Sequence, residues 1–252
     1  MCPGAPFLME GTADAIAGRQ SEVVRACAAV VARLPEADTT LLITGPAGPV
    51  APASAPVPGW RLLESGTRIR ATGVRRSDLP DDYGLTLGPD IANVERPVVE
   101  DPLVGTAVGA YLLGRGDARR PGPTTIALEV GVDPVQAAQA VEERLTAAGR
   151  VAVLVVADGS ACHGDAAPGR RDDRAAAFDE ELAKALESGD PVALARACAD
   201  AMLARELLAG IGPLAVFAQL TGGRPATSAA LLYSAAPLGV GYFVASWRWD
   251  ES

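Results

Sequence analysis

The run Val151-Ala152-Val153-Leu154-Val155-Val156 constrains this chain more than any other stretch. It is apolar at both parities, so a strand made from it must bury both faces. A strand of that kind needs helices on both sides of a mostly parallel sheet. The fold class expected is therefore α/β, a three-layer α/β/α sandwich around a mostly parallel mixed sheet. Thr39–Thr44 and Thr124–Val130 read as companion strands. Weaker strands are expected at Trp60–Leu63 and Arg68–Ala71, and two more at Ala230–Tyr233 and Val240–Trp247.

Helical spacing runs from Thr12 to Leu34 and is stopped by Pro35. Val104–Leu113 reads as a short helix in which Gly105 and Gly109 permit close packing. Asp133 caps a helix that opens on Pro134 and closes at Gly149. Asp173–Glu187 is a helix supported by the Glu180/Lys184 pair. More helix is expected from Pro191 to Leu220, broken near Gly210–Pro213. Pro46–Pro58 and Asp78–Pro89 read as loops. No repeat and no strong linker divides the sequence, so residues 1–252 are expected to form one domain.

Composition narrows the function. The chain has 252 residues and a formal net charge of −9, which argues against nucleic acid and anionic membrane surfaces as partners. Met1–Glu10 lacks the pattern of a secretory signal, and the apolar stretch Leu103–Leu113 is too short and Gly-rich to span a bilayer. Cys2, Cys27, Cys162 and Cys198 form no CxxC pair, which fits reduced thiols and a cytoplasmic location. The single histidine, His163, excludes a three-His zinc site, an HExxH metalloprotease and a two-His-one-carboxylate iron centre built by this chain alone.

Ligands of parallel α/β sheets bind at the carboxyl ends of the strands. The loop Asp158–Asp165 leaves the strongest strand and gathers Asp158, Ser160, Cys162, His163 and Asp165. His163 can act there as an acid or base, oriented by Asp158 or Asp165; alternatively the loop merely caps the next helix. Cys162 and His163 are adjacent and point apart in extended chain, which argues against a nucleophilic dyad. Gly45-Pro46-Ala47-Gly48 lacks the Lys and Ser/Thr of a P-loop and reads as a turn. Glu206 lies among apolar neighbours on a helix, where a surface pair with an arginine is the plain reading.

The order of motifs resembles the class III (LigB-type) extradiol ring-cleavage dioxygenases, in particular a subunit-B-like subgroup. The matching pieces are Cys2-Pro3-Gly4-Ala5-Pro6-Phe7-Leu8, Leu41–Pro46, Leu103–Ala110 and Val155–Ser160. Ala167-Pro168-Gly169, Arg174–Asp179, Leu232-Tyr233 and Gly239–Val244 follow. The Asp-Gly-Ser…Ala-Pro-Gly…Phe-Asp run and the Gly-Val-Gly-Tyr-Phe ending are the most specific. The resemblance implies an α/β/α sandwich and an Fe(II) held by two His and one Glu, with a further His as acid/base.

Carried over residue by residue, the resemblance puts Gly4 where the first ligand His belongs, in Pro3-Gly4-Ala5-Pro6. No His stands near Thr44–Gly48 for the second ligand. Glu206 matches the carboxylate ligand and His163 falls near the acid/base position, with Ala161 and Cys162 intervening in the family's Ser-His step. The resemblance thus implies a degenerate metal site and no bound cofactor, although Fe(II) is what the family would hold. Cys2, Cys162 and His163 would be a substitute soft set, better suited to zinc. The family's first strand should also precede Cys2, which implies either a lost central strand or a longer native chain.

Two classes of function remain. One is an enzyme, oxidoreductase or otherwise, that uses His163, Glu206, Asp158 and Ser160 in the retained cleft on a small substrate of aromatic type. The other is a pseudoenzyme that binds a small molecule or assembles with a partner, itself included as a homo-oligomer.

Overall fold

The computed structural model describes residues 1–5, 8, 17–45, 59–70, 84–87, 98–100, 103–115, 124–131 and 133–250. The expected loops at 46–58 and 78–89, and the start of the first helix at 12–16, lie wholly or mostly outside them. In chain order the elements are α1 (Ala17–Val31), β1 (Thr39–Thr44), β2 (Trp60–Leu63), β3 (Arg68–Arg70), β4 (Gly84–Thr86), β5 (Val98–Glu100), α2 (Val104–Arg115) and β6 (Thr124–Val130). They continue with α3 (Pro134–Thr146), β7 (Val151–Val156), α4 (Ala175–Ser188), α5 (Pro191–Ala197), α6 (Ala201–Glu206), α7 (Gly212–Leu220), β8 (Ser228–Ala235) and β9 (Tyr242–Arg248).

The protein is mixed α/β. Its principal sheet has the order β2-β6-β1-β7. β1 lies parallel to both β6 and β7, with Thr39 opposite Thr124 on one side and Val151 on the other. β2 runs antiparallel to β6 at the edge. All six residues of β1 are buried, as a central strand between two partners requires.

Alternation along these strands feeds two cores. Leu41, Ile43, Leu128 and Val155 face one, which α3, α4 and α7 cover. Leu42, Ala127, Leu154 and Val156 face the other, which α1 and α2 cover. Each such Leu or Val contributes about 2 kcal/mol on burial. Gly109 lets α2 lie close, since a Cβ there would meet Leu42 Cδ1 at 2.4 Å.

β8 and β9 form an antiparallel pair. Residues 1–2 join that pair to the principal sheet. Cys2 N–H donates to Val155 O at 2.9 Å and Ala157 N–H to Cys2 O at 3.1 Å. On its other side Met1 donates to Ala245 O at 2.7 Å. The position of a central strand is therefore held by two residues.

Several expected boundaries need correction. α1 stops at Val31, short of Leu34. α3 ends on Ala147 as its cap, before Gly149. The stretch 191–220 is three helices, because Asp190 and Asp200 each cap a new start by accepting Val192 N–H at 2.8 Å and Leu203 N–H at 2.9 Å. Part of the loop expected at Asp78–Pro89 is strand β4, which joins the sheet β4-β3-β5. Among the described residues no helix is long and apolar enough to cross a membrane.

Candidate functional site

The loop after β7 is pinned on both sides by backbone bonds. Gly159 N–H donates to Gly241 O and Gly241 N–H to Ser160 O, each at 2.8 Å. His163 N–H donates to Gly239 O at 3.1 Å, and Ala161 N–H to Leu207 O at 2.9 Å. The segment before β9 and the turn after α6 thus fix the path of the loop.

His163 Nε2 meets Asp179 Oδ2 at 2.6 Å. Asp179 comes from α4, and its other oxygen accepts Ser160 N–H at 2.8 Å. Burial pushes the Asp179 carboxyl up, opposed by the Ser160 amide and by His163. Gly241 is needed beside this pair, because a Cβ there would fall 1.8 Å from Asp179 Oδ2. The His163 side chain is 20% exposed. With Asp179 it lines a cleft of about 250 Å³, together with Ala176, Ser234, Gly241 and Phe243. An imidazole tied to a carboxylate through Nε2 has a fixed orientation, leaving Nδ1 to give or take a proton.

Asp158 is buried and turned elsewhere. Its Oδ1 accepts Gly4 N–H at 2.9 Å. Burial raises its pKa to about 6, against the pull of that amide. Neither Asp158 nor the exposed Asp165 makes the carboxylate bond that orients His163; Asp179 does. The expectation failed because it looked for the partner along the loop, whereas the partner comes from the next helix.

The remaining candidates separate. Ser160 Oγ donates to Leu207 O at 3.3 Å and accepts Cys162 N–H at 3.1 Å, both buried contacts that hold the loop. The Cys162 thiol turns inward, donating to Leu207 O at 3.5 Å, and burial raises its pKa. Glu206 is half-exposed and accepts from Arg174 at 2.9 Å. Arg174 also pairs with Asp172, whose carboxyl it holds down at about 2. The structure therefore joins His163 to the Ser160 backbone through Asp179. It gives Asp158, Glu206 and the Ser160 hydroxyl other partners.

At the carboxyl ends of β1 and β6 lies a buried polar network absent from the sequence reading. Glu129 Oε1 accepts Leu103 N–H at 2.9 Å and Thr106 Oγ1–H at 2.6 Å. Arg61 Nε donates to Glu129 Oε2 at 2.6 Å. Thr44 Oγ1 lies 2.7 Å from Thr106 Oγ1. The signal for it was a carboxylate inside a strand otherwise buried on both faces, which must be paired. The signal for Asp179 was similar: it falls on the stripe Ala175, Phe178, Leu182, Leu186 that α4 buries.

These positions do not fit the iron that the resemblance implies. Gly4 offers only backbone, the Thr44 hydroxyl is engaged by Thr106, and Glu206 pairs with Arg174. The soft set is not assembled either. The Cys2 thiol makes a hydrogen bond with the free Cys27 thiol in the core under α1, while Cys162 belongs to the core on the opposite face. Among the described residues no three His, Cys, Asp or Glu side chains converge as a metal site would. No protein-family model matches the chain, and no curated protein matches it.

Proposed function

We propose that this chain is a single-domain relative of the LigB-type extradiol dioxygenases that does not perform their iron-dependent ring cleavage. It acts as a cytoplasmic binder of a small, aromatic-type molecule, with no nucleic-acid or membrane partner. The order of sequence motifs supports the kinship, and so do helices on both faces of a mostly parallel sheet, as an α/β/α sandwich has. The observation that carries the loss of ring cleavage is the engagement of Glu206 with Arg174, coupled with glycine at position 4. Glycine at position 4 and the lack of a histidine at 44–48 leave both imidazole positions unfilled, and the matching carboxylate is paired with an arginine.

A second reading has its own support. The His163–Asp179 pair at 2.6 Å borders a cleft, as an acid–base pair in a metal-independent enzyme would. One experiment bears on both. Purified protein is loaded anaerobically with Fe(II), desalted, assayed for iron, and mixed with simple catechols in air. The expected result is substoichiometric iron and no ring-opened product. One iron per chain with a coloured ring-fission product would overturn the proposal. Ring opening without iron that is lost in His163→Gln would favour the second reading.

A further inference from the structure

Among the described residues β8 has one strand neighbour, β9, so its other side is a sheet edge. It is eight residues long and reads Ser-Ala-Ala-Leu-Leu-Tyr-Ser-Ala, with no charge and no proline. Open backbone groups on an edge template pairing with another chain, and edges are blunted by charge, proline, bulges or a covering element. Of the devices a strand itself can carry, β8 has only a bulge. Leu231 stands opposite Ala245 and Tyr233 opposite Val244, so Leu232 is the extra residue.

The bulge decides which backbone groups lie open. Ala245 exchanges both of its backbone bonds with Met1, so its neighbours Val244 and Ser246 turn theirs toward β8. Tyr233, opposite Val244, and Ala230, opposite Ser246, are therefore bonded inward. Ala229 and Leu231 before the bulge, and Ser234 after it, turn N–H and C=O outward. Among the described residues no backbone group bonds these three across the edge. Side chains follow the same shift. Leu231 packs toward the core under α4, whereas Leu232 and Tyr233 pack toward the core under α1. Ser234 returns to the α4 side, where it shares the His163 cleft with Ala176. Open residues of a regular strand are two apart, but Leu231 and Ser234 are three apart. A regular strand laid on this edge thus stays in phase on one side of the bulge only. A second β8, antiparallel about a two-fold axis between Leu232 and Tyr233, stays in phase on both. Leu231 then meets the partner's Ser234, and Ser234 meets the partner's Leu231, all four open and all on the α4 side. Leu232 meets the partner's Tyr233 on the α1 side.

We propose that two copies of this chain pair through β8, antiparallel about a two-fold axis between Leu232 and Tyr233, so that the sheet continues from one copy into the other. This pairing does not depend on the functional reading above. An uncharged strand sets no like charges against each other across the axis. Glu180, which lines the His163 cleft beside the seam, is paired with Lys184 at 2.9 Å. The seam is one strand wide, which gives a dimer in exchange with its monomer instead of an obligate one. It also sets the partner's Leu231 beside Ser234 at the rim of the His163 cleft, so the cleft is narrower in the dimer than in the single chain.

Light scattering over a dilution series tests this. From millimolar to low micromolar protein, the mass should fall from two chains to one. Ser234→Pro removes the N–H that the partner's Leu231 carbonyl would accept, and should stay at the mass of one chain with the circular dichroism of the parent. Ser234→Thr keeps that N–H and should dimerise as the parent does. Amide hydrogen exchange reads the same seam with no substitution. The Leu231 and Ser234 amides should exchange at least tenfold more slowly in the concentrated sample than in the dilute one, while the Ala230 and Tyr233 amides, bonded to β9, should not change. The mass of one chain at every concentration would overturn the proposal. So would a doubled mass with Leu231 and Ser234 amides indifferent to concentration, or a folded Ser234→Pro variant that still dimerises. Slowing of those two amides only when an uncharged extended peptide is added to the protein would assign the edge to a peptide and would likewise overturn it.

Discussion

Asp158→Asn separates a carboxyl whose charge its surroundings disfavour from one held ionised for a task. Asp158 is buried, its pKa is raised from 3.8 to about 6, and its Oδ1 accepts a hydrogen bond from Gly4 N–H. The folded protein thus binds this proton more tightly than the unfolded chain does. The benefit is fully present below about pH 4 and is lost as pH rises through about 6. Two pKa units at about 1.4 kcal/mol each give about 3 kcal/mol. Asparagine retains an oxygen for Gly4 N–H and carries no charge to bury. The variant and the parent should therefore have nearly equal stability at about pH 4, and the variant should be more stable by up to about 3 kcal/mol at about pH 7. Urea unfolding read by tryptophan fluorescence measures the gap at each pH, and groups common to both chains cancel. Trp247 and Trp249 make a convenient reporter, their rings 6.0 Å apart. A gap that stays constant with pH, or a variant less stable at neutral pH, would refute the reasoning. The second result would make Asp158 a carboxylate stabilised in its ionised form.

Other substitutions test the remaining assignments. Asp179→Ala should cost about 2–3 kcal/mol in urea unfolding, because it leaves the buried Ser160 amide without its acceptor; Asp179→Asn should cost less. Glu129→Ala should cost about 2–3 kcal/mol, since it removes the acceptor of the buried Leu103 amide and one partner each of Thr106 and Arg61. Glu206→Ala, at a side chain 50% exposed, should leave the urea midpoint where it was and leave small-molecule binding unchanged.

The parts of the fold legible from residues alone were those where burial leaves no choice. β6 and β7 match their apolar runs residue for residue, and so does β1, because a strand buried on both faces has sharp ends. Asp133 and Pro134 mark the start of α3 for a local reason, a side chain that accepts Gln136 N–H at 3.0 Å. The end of that helix was misread because Gly149 sits beyond the last turn. β4 and β5 carry three residues each, too few for alternation to show.

The site was half legible. His163 was picked out by its place after the strongest strand, and it does border a cleft. Its partner was not, since Asp179 reads as an ordinary helix residue until the apolar stripe around it is noticed. Asp158 and Ser160 have side chains suited to proton transfer, but in the fold these bond Gly4 and Leu207. Glu206 was carried by resemblance, while its surface pair with an arginine is what its own helix predicts.

The central claim is that the one imidazole of this chain serves Asp179 and holds no metal. The chain has a single histidine, so its ring protons give one assignable pair of NMR signals. Anaerobic addition of Fe(II) up to one equivalent should leave those signals sharp and unmoved, whereas Asp179→Asn should move them. Broadening or displacement by one equivalent of Fe(II) in the parent chain would contradict the account.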